Sequence, residues 1–141
     1  MKVTAEQINS IMHESIGSMT AFKRSYGKYM DYTEGVMNVQ RKLSMYWFID
    51  LMYSLMIKVV DDYCITEESF YVVKLTVSND HTAVLDITRE EYNEDTDEYK
   101  DIVVAREEID YTDLPQCEMK FFLELANLDP LVFRLLCPSE H

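Results

Sequence analysis

The sequence predicts an α+β protein with helices in its first half and an antiparallel sheet in its second half. Up to about residue 61, apolar residues recur at steps of three and four, which is typical of helices. From residue 70 onward they alternate with polar residues, which is typical of strands. At 141 residues, 48% of them apolar, the chain fits one domain, which we take as residues 1–141.

Two helices are predicted in the first half. Thr4 followed by Gln7 is a capping-box pattern, and it predicts a short helix over residues 4–16. Thr33 is a suitable N-cap for a second helix, from Glu34 to about Val59. Apolar residues surround most of this second helix, which predicts a long central helix packed on the sheet. The segment between the two helices is predicted to be irregular.

Five strands are predicted in the second half. Strand-like segments are FYVVKLTV, TAVLDITRE, DIVVAREEIDY, MKFFLEL and LVFRLL. Turn-forming residues separate them, for example the sequence SNDH after the first and ANLDP before the last. Since consecutive strands joined by short connections usually pair with each other, the pattern predicts an antiparallel meander.

The charge of the chain is concentrated in its second half. Residues 1–66 hold seven bases and seven acids, whereas residues 67–141 hold six bases and 19 acids, so the whole net charge of −13 belongs to the second half. This excess of acid argues against direct binding of nucleic acid. The three cysteines form no close pair, and no segment reaches 18 consecutive apolar residues. We therefore expect a cytoplasmic protein with no membrane contact.

The segment EEYNEDTDEYKD, residues 90–101, has seven carboxylates and one lysine. One interpretation is a solvated hairpin loop whose charges discourage unwanted strand pairing. The other is a negative surface that attracts a basic protein partner, with the tyrosines providing contact area. The residues predicted to bind such a partner are Glu91, Tyr92, Glu94, Asp95, Asp97, Glu98, Tyr99 and Asp101.

No metal site, cofactor or catalytic motif is predicted. Asn93, Asp95 and Asp97 alternate as at the start of an EF-hand loop, but Glu98 stands where that loop requires glycine. Three glycines in the whole chain leave no phosphate-binding loop. Asp50 interrupts an apolar helix face, so it is predicted to be buried. A buried carboxyl could act as a general acid or base, or it could be a simple hydrogen-bond acceptor.

Four short motifs occur in order along the chain: YTEGV at 32–36, YWFID at 46–50, YTDLP at 111–115 and PSEH at 138–141. Their order resembles an uncharacterised family of small bacterial and phage proteins. Those proteins have Thr-Asp-Gly-Val, Tyr-Trp-x-x-Asp, Tyr-Thr-Asp-Phe-Pro and Pro-Ser-Glu-Tyr. The resemblance covers residues 20–141, and it differs from the family pattern at Glu34, Leu114 and His141. It implies one intact domain and a phage or mobile-element setting, but no activity.

Together these observations predict a non-catalytic, acidic protein-interaction module. Its most specific form is a phage or mobile-element inhibitor in the host cytoplasm, which occupies the basic groove of a nucleic-acid-binding defence protein such as a nuclease complex. A first alternative is a structural protein that forms homodimers through a helix flank formed by Met45, Met52 and Met56. A second alternative is an enzyme that uses Asp50.

Overall fold

The computed structural model describes residues 3–13, 21–22, 28–62, 65–66 and 69–141. The helices are α1 (Ala5–Met12), α2 (Glu34–Leu43) and α3 (Tyr46–Asp61), and a 3₁₀ turn at Pro138–Glu140 ends the chain. The strands are β1 (Ala21–Phe22), β2 (Met30–Thr33), β3 (Phe70–Val77), β4 (Ala83–Asn93), β5 (Glu98–Ile109), β6 (Cys117–Asn127) and β7 (Val132–Leu136). The predicted α+β class is confirmed.

The strands form one mixed sheet in the order β1-β2-β7-β6-β3-β4-β5. Six of these strands have four residues or more, and β1 has two. The predicted five-stranded antiparallel meander is therefore wrong. Strand β6 pairs with β3 rather than with β5, and β2 is parallel to β7. Strands β1 and β2 come from the segment that was predicted to be irregular.

The connection between β5 and β6 explains why these two strands do not pair. Cys117 at the start of β6 is opposite Val77, and Ile109 at the end of β5 is opposite Ala83. The connection therefore crosses the turn that joins β3 to β4. Here the Thr112 N–H donates to the carbonyl of His81 at 2.8 Å. This crossing makes β3 a central strand and leaves β5 at the edge of the sheet.

The predicted long helix is divided into α2 and α3 by a left-handed residue. Ser44 has φ 53°, and the N–H of Met45 donates to the carbonyl of Gln40 at 2.9 Å. This is a Schellman-type helix end, which closes α2 and turns the chain so that Met45 enters the core. Helix α3 is the longest helix in the described part of the chain, with 16 residues. None of the described helices is long and apolar enough to cross a membrane.

The helices cover one face of the sheet and form a single hydrophobic core with it. The rings of Phe48 on α3 and Phe121 on β6 lie 4.8 Å apart in this core. Met45, Met52 and Met56 are at most 1% exposed, so they pack inside the protein. The predicted dimer interface along this helix flank is therefore wrong. The opposite face of the sheet has no helix packed on it within the described residues.

Candidate functional site

Residues 89–102 form a two-stranded ribbon that extends beyond the body of the sheet, and we call this segment the acidic ribbon. Strand β3 pairs with β4 only as far as Thr88, whereas the pairing of β4 with β5 continues to Asn93 and Glu98. Only residues 94–97 make the turn, where Asp97 has φ 53° and the Asp95 N–H donates to Asn93 Oδ1 at 2.9 Å. The predicted hairpin is present, but most of it is strand and not loop.

The base of the acidic ribbon is attached to the end of α3 through Asp62. The Asp62 carboxylate accepts hydrogen bonds from Arg89 Nε at 2.6 Å and from Tyr71 Oη at 3.0 Å. Arg89 also donates to Glu91 at 3.1 Å. The bond to Asp62 raises the pKa of Arg89 above its ordinary value, so the guanidinium stays charged. An isolated two-stranded ribbon is marginally stable in water, and this attachment supplies part of the missing support.

Two tyrosines lie side by side on the ribbon face that continues the helix-free face of the sheet. Tyr92 is directly opposite Tyr99, and their ring centroids are 5.0 Å apart. The Tyr92 hydroxyl donates to the Asp97 carboxylate, which raises the pKa of Tyr92. Tyr99 is 70% exposed. The stack therefore orders the ribbon near its tip and still leaves an aromatic surface open to a partner.

Next to the tyrosines, two carboxylates are placed directly opposite each other. Glu90 on β4 pairs in register with Asp101 on β5, and both side chains are exposed. Directly opposite residues in an antiparallel pair have Cβ atoms about 4.5–5.5 Å apart, and like charges at that separation are destabilising. Within the described residues no ion pair to either carboxylate is found at 4.0 Å or less. This position is therefore suited to a cation from another molecule.

The ribbon face continues into a shallow groove of about 910 Å³ on the sheet. Apolar and polar side chains alternate along its floor. Phe70, Val72 and Val103 supply the apolar part, while Lys74 and Asp86 supply charge. An open groove of mixed polarity is more typical of a protein contact surface than of a small-molecule site, which is usually concave and mostly apolar.

The structure separates the predicted binding residues into groups. Tyr92, Tyr99 and Asp101 share the groove face, whereas Glu91 and Glu98 belong to the other face of the ribbon. The remaining predicted residues belong to the exposed turn at the tip, namely Glu94, Asp95 and Asp97. Glu90 was missed by the sequence prediction. Its alternation with Tyr92 at a spacing of two was the signal that places both on one face.

Asp50 is exposed on α3, so the prediction that it is a buried acid is wrong. Its neighbours Phe48 and Ile49 fill the core instead. The described residues contain no group of three or more His, Cys, Asp or Glu side chains that could hold a metal ion.

Two of the sequence motifs meet at the N-terminus of α2. Glu140, in the final 3₁₀ turn, accepts hydrogen bonds from Thr33 Oγ1 at 2.6 Å and from the Gly35 N–H at 3.2 Å. It also accepts from the Cys137 N–H at 3.0 Å. A helix N-terminus favours a negative charge, and here the protein's own carboxylate supplies it. The motifs at residues 32–36 and 138–141 thus form an internal cap.

Comparison with known proteins gives one match. A family model described as a family of unknown function (DUF6876) matches residues 6–141. No curated protein and no solved structure matches this chain. The match begins in α1, so it reaches further toward the N-terminus than the predicted limit of residue 20. Because the match covers nearly the whole chain, the protein belongs to the DUF6876 family, whose function is unknown.

Proposed function

We propose that this protein is a non-catalytic interaction module whose acidic ribbon binds a basic protein partner. One observation carries the proposal, namely the facing pair of Glu90 and Asp101 beside the exposed Tyr99 ring. All twelve residues from 90 to 101 are exposed, and their net charge is −6. The ribbon therefore presents a concentrated negative charge on a backbone that is held in place at its base.

The facing carboxylates favour an arginine of the partner. A cation between Glu90 and Asp101 replaces their mutual repulsion by two attractions. A guanidinium can also donate two parallel hydrogen bonds to a carboxylate and stack on an aromatic ring, which a lysine cannot do equally well. Tyr99 lies two residues before Asp101 on the same face, so its ring is available for that stacking.

The charge of the acidic ribbon also attracts a basic partner before the two proteins are in contact. Clustered charge of one sign increases the rate at which an oppositely charged partner arrives, and this effect weakens with added salt. Proteins that bind nucleic acid carry the required basic surfaces. In its specific form the proposal is therefore an inhibitor, encoded by a phage or mobile element, that occupies the basic groove of a host nucleic-acid-binding protein in the cytoplasm.

The proposal is tested with a fluorescent octa-arginine peptide as a substitute for the basic partner. The double variant Glu90→Gln/Asp101→Asn is compared with Glu118→Gln/Asp129→Asn, which removes the same charge from exposed positions elsewhere. We expect the ribbon variant to weaken binding roughly fivefold, since each exposed ion pair contributes about 0.2–1 kcal/mol. The control should change affinity less than twofold.

An octa-lysine peptide of the same length separates the effect of the peptide's charge from the effect of the guanidinium's shape. We expect wild type to bind octa-arginine more tightly than octa-lysine, and a Tyr99→Leu variant to lose most of that preference. Equal weakening by the ribbon variant and its control would mean that only net charge matters. In that case the facing carboxylates have no specific role and the proposal fails.

A further inference from the structure

Strand β5 is a long free edge of the sheet. It has 12 residues and pairs with β4 on one side, and it is the last strand of the sheet among the described residues. Its outward N–H and C=O groups are a template on which another strand can pair. Val103, in the middle of this edge, is 53% exposed. The edge therefore has both the backbone groups and an apolar centre for a strand-to-strand contact.

A β-bulge at the centre of β5 changes which residues share a face. Ile87 is opposite Ala105, and Thr88 is opposite Val103, so Val104 is the additional residue. Before the bulge, Asp101 and Val103 lie on the helix-free face and Lys100 on the helix face. After it, Arg106 lies on the helix-free face, opposite Asp86, and Glu107 lies on the helix face, opposite Leu85.

The charges on either side of the bulge are arranged in a self-complementary order. Lys100 and Asp101 precede it, and Arg106 and Glu107 follow it, so this stretch has no net charge in a chain of net charge −13. When the segment is aligned with a second copy of itself running in the opposite direction, each charged residue is opposite a residue of the other sign. Lys100 meets Glu107, Asp101 meets Arg106, and Ile102 meets Ala105.

We propose that two copies of this chain pair antiparallel through their β5 edges, with a two-fold axis at the bulge. Such an axis is perpendicular to the sheet, so each residue must face a residue from the same side of the sheet. In this register Lys100 faces Glu107 of the second copy on the helix side, and Asp101 faces Arg106 of the second copy on the other side. By symmetry each ion pair occurs twice.

The bulge is what makes this register consistent. In a regular strand, positions 101 and 106 lie on opposite faces because their separation is odd, and so do positions 100 and 107. The additional residue Val104 restores the match on both sides. Charged residues on an edge strand commonly prevent it from pairing with another strand. Here the charges favour pairing, because the register that places facing residues on the same side of the sheet also places every charge from Lys100 to Glu107 opposite a charge of the other sign.

The dimer leaves the acidic ribbons free at their tips. Residues 94–97 lie past the end of the paired segment, so the two tips point to opposite ends of a continuous sheet. With about 3.3 Å per residue, they are roughly 50 Å apart. The dimer and the proposed function both use Asp101, but they are tested separately, since the dimer concerns the protein alone and is measured without any basic partner.

Sedimentation equilibrium over a concentration series tests the dimer. We expect wild type to show a reversible monomer–dimer equilibrium. Lys100→Glu and Glu107→Lys should each weaken it about tenfold or more, because each change converts two attractions into repulsions. An equimolar mixture of the two variants should restore dimers, since every pair in the mixed dimer is again attractive. Glu118→Lys is the control, with the same charge change on β6.

Circular dichroism confirms that each variant is folded before it is compared. Should a variant at 100 or 107 unfold, the pair Asp101→Arg and Arg106→Asp provides the same test on the other face. A wild-type protein that stays monomeric at every concentration overturns the inference. So does a mixture that dimerises no better than its separate components, or a Glu118→Lys control that weakens the dimer equally.

Discussion

Glu140 is expected to contribute substantially to stability, because it joins the final 3₁₀ turn to helix α2. Its Oε1 accepts from Thr33 Oγ1 at 2.6 Å and from the Cys137 N–H at 3.0 Å, while its Oε2 accepts from the Gly35 N–H at 3.2 Å. Two variants separate the effects of shape and charge. Glu140→Gln keeps the shape and removes the charge, and Glu140→Ala removes every acceptor.

The size of the effect follows from these three donors. A hydrogen bond to a charged group contributes about 1.5–3 kcal/mol when buried, but Glu140 is half-buried, so we take about 1 kcal/mol for each. Glu140→Ala should then lower the free energy of unfolding by about 3 kcal/mol. Glu140→Gln should lower it by about 1–2 kcal/mol, because the amide loses the favourable interaction with the helix dipole and places a donor against a donor.

Urea denaturation followed by the fluorescence of Trp47, the single tryptophan, measures this loss. For Glu140→Ala we expect a lower midpoint urea concentration, with no change in the slope of the free energy of unfolding against urea. In thermal unfolding, the Tm of this variant should fall by about 6–12 °C. Glu94→Gln removes the same charge from the exposed ribbon turn and should have little effect. If the Glu140→Ala midpoint equals that of the control, water replaces the carboxylate without cost, and the cap is not a stabilising contact.

Three further predictions concern the core, the ribbon base and pH. Met52→Ala should lower the free energy of unfolding by about 2–5 kcal/mol in the same urea assay, because Met52 is fully buried. Asp62→Ala should accelerate amide hydrogen exchange along the acidic ribbon, since Arg89 and Tyr71 each lose their hydrogen bond to Asp62. Burial of the Cys137 thiol, and to a lesser degree the negative charge of the neighbouring Glu140, raise the pKa of Cys137 from an ordinary value of 9.0 to about 12. The folded state therefore holds this proton more tightly, so stability should fall as pH rises from about 9 to 12, and fall less in a Cys137→Ala variant.

Most strands could be predicted from the sequence because each has one buried face. Val73, Leu75 and Val77 on β3 are buried, with half-buried or exposed residues between them, and that alternation is visible without a structure. The order of the strands in the sheet could not be predicted in the same way. The crossing that separates β6 from β5 brings the Thr112 N–H to the carbonyl of His81 in the β3–β4 turn, a contact between distant residues that no local pattern contains.

The break between α2 and α3 was missed for a local reason. The apolar steps of three and four continue from Leu43 to Tyr46 and Trp47, so periodicity alone favours one helix. The break depends on Ser44 adopting φ 53°, a conformation that glycine or asparagine usually signals and serine does not. Burial of Met45 at 1% exposure compensates for the strain of a left-handed serine.

The candidate site was predicted only in part. The charge of residues 90–101 is evident from composition, but the pairing of Glu90 with Asp101 depends on the register between β4 and β5. That register includes the bulge at Val104, and a shift of one residue would place the two acids on different faces. The sequence thus indicates an acidic segment, while the structure shows which two carboxylates face each other.

The residues that carry the family resemblance have structural roles in this protein. Thr33 and Gly35 donate to Glu140, and Thr112 and Leu114 are buried in the β5–β6 crossing. These motif residues therefore help to close the chain on itself. The two surfaces that we propose for binding, the ribbon face and the β5 edge, lie outside the four motifs, and both derive from the hairpin that extends beyond β3.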